Sequence, residues 1–301
     1  MNNKPKIAVL GGDLRQYAAA KQISKAGFDV YAHALCTQTD TSGKIRLCDK
    51  LDETLCEASA VILPLPVSTD DRLLNCPACK TSERIVLDRI VSQMSGDAIL
   101  FGGRIPLSLN IKAQEKGIRV HDYFLSERLQ IKNAYITAEA AMSIAMNSLD
   151  KCLKDARVAV TGSGRISRIL CDLLRRMGTE VTVAARNTDS LAYYELSGCR
   201  TVLIREGEAS WNERFLKGYD IIFNTVPCWL FDREFLKSVD KSTLFIELAS
   251  APGGIDICAA RELSSNVLWA SSLPGKYAPA SAGELIAECV CEMLLEEGVA
   301  K

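Results

Sequence analysis

The sequence predicts an α/β fold of two doubly wound parallel-sheet domains, on three observations. Short β-rich runs alternate with amphipathic stretches, the alternation restarts near residue 155, and each half opens on a strand, a glycine turn and a helix. A parallel strand pair needs a crossover, and the crossover helix covers a sheet face, so this pattern implies Rossmann-like sheets with helices on both sides. At 301 residues the chain is long enough for two cores.

In the first half the strands are expected at Lys6–Leu10, Asp29–Ala34, Ala60–Leu63, Ala98–Phe101 and Arg119–His121. In the second they are expected at Arg157–Thr161, Glu180–Ala184, Ile221–Asn224, Leu244–Glu247 and Val267–Trp269. Helical periodicity marks Leu14–Ala26, Arg84–Ser95, Ile166–Met177 and Asp256–Glu262. Two longer helices, Ala138–Leu153 and Ala282–Glu297, are expected to bridge the domains and leave an interdomain cleft. Residues 1–136 are expected to form a substrate-holding domain, 137–280 a nucleotide-binding domain, and 281–301 a helix returning to the first domain.

A formal net charge of -1 leaves no field to recruit nucleic acid or an anionic membrane, and no basic stripe interleaved with aromatics appears. Nor is any apolar run long enough for a signal-peptide core or a spanning helix, so a cytoplasmic protein is expected. The twelve cysteines are scattered, which fits reduced thiols packed as small hydrophobes. Cys76 and Cys79 have zinc-knuckle spacing, but no second pair or nearby histidine completes four ligands, so no metal is expected.

The run Arg157-Val-Ala-Val-Thr-Gly162-Ser163-Gly164-Arg165-Ile166-Ser167 has the strand–turn–helix form of a dinucleotide fingerprint. Gly162 permits the tight turn, and Gly164 lets backbone approach a pyrophosphate at the helix N-terminus. Serine replaces the third glycine, small enough to keep helix on strand. Cofactor choice is made at the end of the second strand, where an NAD site wants a carboxylate. Here the strand runs into Ala185-Arg186-Asn187. A guanidinium there suits the 2′-phosphate of NADP, with Asn187 adding a hydrogen bond, and Arg165 is placed to face the pyrophosphate. Asn224-Thr225-Val226-Pro227 ends another strand of the same domain, where Thr225 and Pro227 are expected to border the nicotinamide.

The first domain's turn, Gly11-Gly12-Asp13-Leu14-Arg15-Gln16, has the wrong spacing for a dinucleotide, and Asp13 would repel a pyrophosphate. Arg15 is better placed for a substrate carboxylate. Both histidines, His33 and His121, lie in this half, so the nucleotide half lacks the histidine acid of a 2-hydroxy-acid dehydrogenase.

Together, Gly11–Gln16, Gly162–Arg165, Ala185-Arg186, Asn224–Pro227, Leu248-Ala-Ser-Ala-Pro-Gly253-Gly254-Ile-Asp256 and Leu273-Pro-Gly-Lys276-Tyr-Ala-Pro279-Ala-Ser-Ala-Gly283 resemble the family of the dipicolinate synthase A subunit, from residue 6 to about 295. Asn133, Thr137 and Glu139 also fit that family. Ser167, Ala140 and the Cys76–Cys79 loop depart from it. The resemblance implies NADP-dependent oxidation of dihydrodipicolinate to dipicolinate, a smaller partner (the B subunit of dipicolinate synthase), and the mother cell of a sporulating bacterium. It leaves homo-oligomerisation open. For a ring bearing two carboxylates, Arg15, Arg104 and Lys276 are the cationic candidates, with Ser68 and Thr69 as hydroxyl donors. Thr137 is expected to cap a helix and contact substrate. Glu139 would then sit in the first turn, either for the helix dipole or as a catalytic base. Two alternatives stay open: another two-domain NAD(P)-dependent amino- or imino-acid dehydrogenase, and a non-catalytic NADP-binding subunit.

Overall fold

A computed structural model describes residues 4–36, 43–77, 84–205, 215 and 218–299. Cys79 lies outside the described residues. The chain divides into two compact units, Met1–Asn133 with Gly275–Lys301, and Ala134–Pro274.

The first unit has strands β1 (Lys6–Leu10), β2 (Asp29–His33), β3 (Ile45–Leu47), β4 (Ala60–Ile62), β5 (Ile99–Gly102) and β6 (Arg119–Asp122). They form one parallel sheet in the order β3-β2-β1-β4-β5-β6. Alternation along β1 builds two cores. Ile7 and Val9 pack with Ala19, Ala20 and Ile23 of α1 (Leu14–Lys25), while Ala8 and Leu10 pack with Leu51 and Leu55 of α2 (Leu51–Leu55). Helices α3 (Leu87–Gln93) and α4 (Leu107–Glu115) cover the latter face.

Helix α5 runs from Glu127 to Ser148, with the unit boundary inside it. This corrects the expected start at Ala138. Ser126 is the residue at its head, its hydroxyl accepting from the Leu129 amide at 3.3 Å. Thr137 therefore caps nothing; it is buried in mid-helix, and Glu139 is an exposed residue three turns in rather than a first-turn acid.

The second unit repeats the architecture. Strands β7 (Arg157–Thr161), β8 (Glu180–Ala185), β9 (Arg200–Leu203), β10 (Ile221–Asn224), β11 (Leu244–Glu247) and β12 (Val267–Trp269) are parallel in the order β12-β11-β10-β7-β8-β9. Its helices are α6 (Arg165–Arg176), α7 (Thr188–Leu196), α8 (Arg233–Ser238) and α9 (Ile257–Glu262). Val158, Val160, Leu170, Leu174, Phe223 and Ile246 fill one face; Phe231, Phe235 and Phe245 pack edge-on beneath the other. After α10 (Leu273–Tyr277), α11 (Pro279–Glu296) lays Ile286, Val290 and Leu294 into the first unit's core. No helix among the described residues is long and apolar enough to cross a membrane.

Asp220 ties the start of β7 to that of β10. Its carboxylate accepts from the Arg157 amide and from Lys151 Nζ, each at 2.7 Å. Partial burial pushes this carboxyl up, but Lys151 and the Arg157 amide outweigh it and hold it below its ordinary value of 3.8. A depressed carboxyl adds stability above its unfolded pKa and loses it as pH falls through the folded one. Lys151→Met is therefore expected to lower the thermal midpoint at neutral pH, and the gap from wild type should close as pH falls below 3.8. A gap that persists undiminished in acid would show that the lysine acts by packing alone.

Candidate nucleotide site

In doubly wound sheets of this strand order, ligands bind outside the carboxyl ends of the strands where the order reverses, here between β7 and β10. A cavity of about 470 Å³ lies there, lined by Gly162, Ser163, Ala185, Arg186, Asn187, Ile204, Val226 and Leu230. That volume falls within the range of cofactor pockets. Ile204 and Leu230, at the end of β9 and beyond β10, are lining residues that no sequence motif marks.

Gly162 has φ +100°, and an added Cβ would meet Thr225 Oγ1 and, at 2.9 Å, Val226 Cγ2. The turn is thus closed against the 225–227 loop, whose Thr225 hydroxyl donates to the Thr161 carbonyl at 2.7 Å. Gly164 differs: it is exposed, and a Cβ there would meet nothing within 4 Å. It precedes α6 without a side-chain cap, leaving the first-turn amides for a ligand. Arg165 is exposed in that first turn, whereas Ile166 packs on the core. Ser167 is buried and accepts a hydrogen bond from Tyr194 of α7 at 3.0 Å, so the serine at the third fingerprint position fastens two helices together.

No acid stands at the end of β8. Arg186 is exposed at the cavity, and Asn187 caps α7, its Oδ1 accepting from the Ser190 amide at 2.7 Å. Thr225 and Pro227 do not line the cavity; Pro227 is exposed and Thr225 is held on β7. Beneath the loops lies a buried polar cluster. Asn224 accepts from the Thr161 hydroxyl at 2.6 Å and donates to both Glu247 oxygens at 2.8 and 2.9 Å. Glu247 also accepts from the amides of Ala249 and Gly254. Burial pushes its carboxyl above the ordinary range, against the lowering effect of the Gly254 amide, Asn224 and the other amides.

The corresponding crevice of the first unit is filled. The Gly12 amide donates to the Asn75 carbonyl at 2.8 Å, and a Cβ on Gly11 would meet Leu74 at 2.7 Å. Asp13 caps α1 and binds the Arg15 guanidinium through Nε at 3.0 Å and Nη2 at 2.8 Å, while Nη2 also donates to the Leu65 carbonyl. Arg15 is 9% exposed, so its charge is already answered inside the unit. The Ser68 hydroxyl closes its own turn onto Leu73 and Asp70; Thr69 is exposed. Both histidines have partners inside the unit: His33 contacts the Cys48 carbonyl, and His121 stacks on Phe101 and pairs with Glu297.

Arg104 and Lys276 are both exposed. Arg104 has φ +55°, a left-handed conformation rare for a large side chain. Asp122 holds it there, accepting from its amide at 3.1 Å, and the guanidinium lies 5.1 Å from the Phe124 ring.

Residues 6–124 match the family model of the N-terminal domain of the dipicolinate synthase A subunit. The dipicolinate synthase A subunit of Bacillus subtilis (strain 168) is 28% identical over 295 residues, which cover 97% of this chain and 96% of that protein. The crystal structure of the Bacillus subtilis dipicolinate synthase A chain superposes with a TM-score of 0.82 at 26% identity, covering 98% of this chain and 97% of that one. Its counterpart from Bacillus halodurans shares the fold, with a TM-score of 0.83 at 24% identity and coverage of 96% and 97%. The chain therefore resembles the A subunit of dipicolinate synthase along its whole length, and its residues 6–124 match the model of that protein's N-terminal domain.

Proposed function

We propose that the protein is an NADP-dependent oxidoreductase that oxidises dihydrodipicolinate to dipicolinate, working with the B subunit of dipicolinate synthase in the cytoplasm of a sporulating mother cell. The observation that most supports the cofactor is Arg186, beside the cavity at the end of a strand that carries no acid. When bound, NADP accepts the hydride whose loss makes the substrate ring aromatic. The protein's own work is then positioning. The amides after Gly162 and the start of α6 hold the pyrophosphate, and Arg186 and Asn187 hold the 2′-phosphate. Residues 137–280 supply this nucleotide half. Residues 1–136, joined by Lys276 of α10 from the same compact unit, hold the substrate, whose carboxylates fall to Arg104 and Lys276. Arg15, tied to Asp13, orients this region more than it binds. Glu139 is the candidate base, exposed on α5.

The test is NADPH formation at 340 nm with freshly made dihydrodipicolinate, with and without the B subunit. Turnover with NADP and little with NAD is expected. NADPH binding without turnover, even with the partner, would sink the substrate assignment.

Arg104 provides a sharper test. Glycine relieves a left-handed backbone that costs a large residue about 1–2 kcal/mol, less the entropy glycine adds to the unfolded chain. Arg104→Gly is therefore expected to match or exceed wild-type thermal stability while turnover drops roughly a hundredfold, the loss of a charge-assisted carboxylate contact. NADPH affinity should not move. Full turnover in this variant would remove Arg104 from the substrate site.

A further inference from the structure

We propose that Glu247 sets the preference of the nucleotide site for the oxidised, positively charged nicotinamide over the reduced, neutral one. The inference rests on the NADP reading above and deepens it.

Glu247 ends β11 and is 0% exposed. A carboxylate at the buried end of an apolar strand needs a reason, because burying charge is expensive. Its partners are all donors: Asn224 Nδ2 at 2.8 and 2.9 Å, the Ala249 amide at 3.0 Å and the Gly254 amide at 2.9 Å. A protonated carboxyl would have to offer its own hydrogen to one of these donors, so the cluster is built for the anion. None of these partners is a lysine or arginine, so the negative charge is solvated by dipoles and left uncancelled.

Position gives that charge a use. A doubly wound sheet binds a dinucleotide as two halves, one on each side of the point where strand order reverses. Strands β7, β8 and β9 carry the glycine turn, Arg186 and Asn187, which suit the adenosine half. Strands β10, β11 and β12 are left for the nicotinamide half. Glu247 stands at the carboxyl end of that second half, beside β10. Asn224 links it to the cavity wall, donating to the Val226 carbonyl at 3.0 Å and accepting from the Val226 amide at 3.1 Å. A buried, uncancelled anion attracts a nearby cation more strongly than it would in water. Oxidised nicotinamide is cationic and reduced nicotinamide is not, so the charge favours one redox form. A dehydrogenase that must take NADP from a pool containing NADPH gains from that bias.

A purely structural role, pinning the 225–227 and 248–254 loops, would weaken both forms alike. The test is therefore a ratio. Dissociation constants for NADP⁺ and NADPH are measured by titration calorimetry for wild type, Glu247→Gln and Glu247→Asp. In Glu247→Gln the ratio Kd(NADP⁺)/Kd(NADPH) should rise roughly fivefold to tenfold, as expected for one nearby buried charge. Glu247→Asp keeps the charge, so its ratio should stay near wild type even if both forms bind more weakly. Equal losses for both forms in Glu247→Gln overturn the proposal. Should that variant fail to fold, carbon-13 NMR of wild type labelled at glutamate Cδ decides, because a protonated glutamic acid at neutral pH overturns it too. Wild type that binds neither form would instead defeat the NADP reading on which the proposal stands.

Discussion

Gly164→Val is expected to lose NADPH binding while the unliganded protein stays close to wild-type stability. The two glycines of the turn are separable on geometry. At Gly164 the backbone is ordinary, and the space a side chain would enter is open. Valine there costs the apo protein about 1 kcal/mol, the usual difference between glycine and a branched residue at a helix N-cap. That same open space is where a pyrophosphate must approach the first amides of α6. Blocking it removes one or two charge-assisted hydrogen bonds, so NADPH affinity should fall about a hundredfold or more. Gly162→Ala should behave differently. Its φ of +100° and the collision with Thr225 and Val226 sit in the folded protein itself. A destabilisation of about 2–4 kcal/mol is expected from backbone strain plus overpacking. Thermal melts and fluorescence titration with NADPH read the two effects side by side. If Gly164→Val binds NADPH like wild type, the nucleotide does not cross the N-terminus of α6.

The same turn shows what a sequence discloses and what it withholds. Strand, turn and helix around Gly162 follow one another in local order, so period and glycine spacing reveal them. The edge strands β3 and β9 present a weak pattern: β3 buries only Ile45 and leaves Arg46 and Leu47 exposed, and no residue of β9 is fully buried. Thr137 followed by Glu139 imitates a helix head, although both lie well inside α5. The true signal is Ser126 before Glu127, in the same stretch. Arg15 looks like a loop cation in the sequence, yet Asp13, two residues earlier, answers its charge. Glu247 is hidden for a different reason. An acid closing an apolar strand looks like a solvent-exposed end, and its burial depends on Asn224 and on loop amides that only the folded sheet brings together.

Arg186→Ala is expected to lower NADP affinity roughly thirtyfold to a hundredfold, the worth of about 2–3 kcal/mol for a guanidinium–phosphate contact, and to leave NAD affinity unchanged. The asymmetry follows from where the side chain sits. Arg186 borders the cavity directly after Ala185, the strand end at which doubly wound dinucleotide sites distinguish the two cofactors, while a glycine turn and helix start serve both alike. Removing the arginine supplies no acid for the ribose hydroxyls, so discrimination should vanish without reversing. Reversal should need a second change, Ala185→Asp, which places a carboxylate at the strand end. Because Arg186 is exposed, its attraction is open to screening. The NADP-over-NAD preference of wild type should therefore shrink as salt is raised, and that of Arg186→Ala should be flat. Kd values for both cofactors across a salt series test this. If the arginine were only a solvated surface residue, the variant would keep the preference and the slope of wild type. If NADP were instead held by Asn187 alone, the preference would survive Arg186→Ala with a weak salt dependence, since an amide carries no net charge to screen.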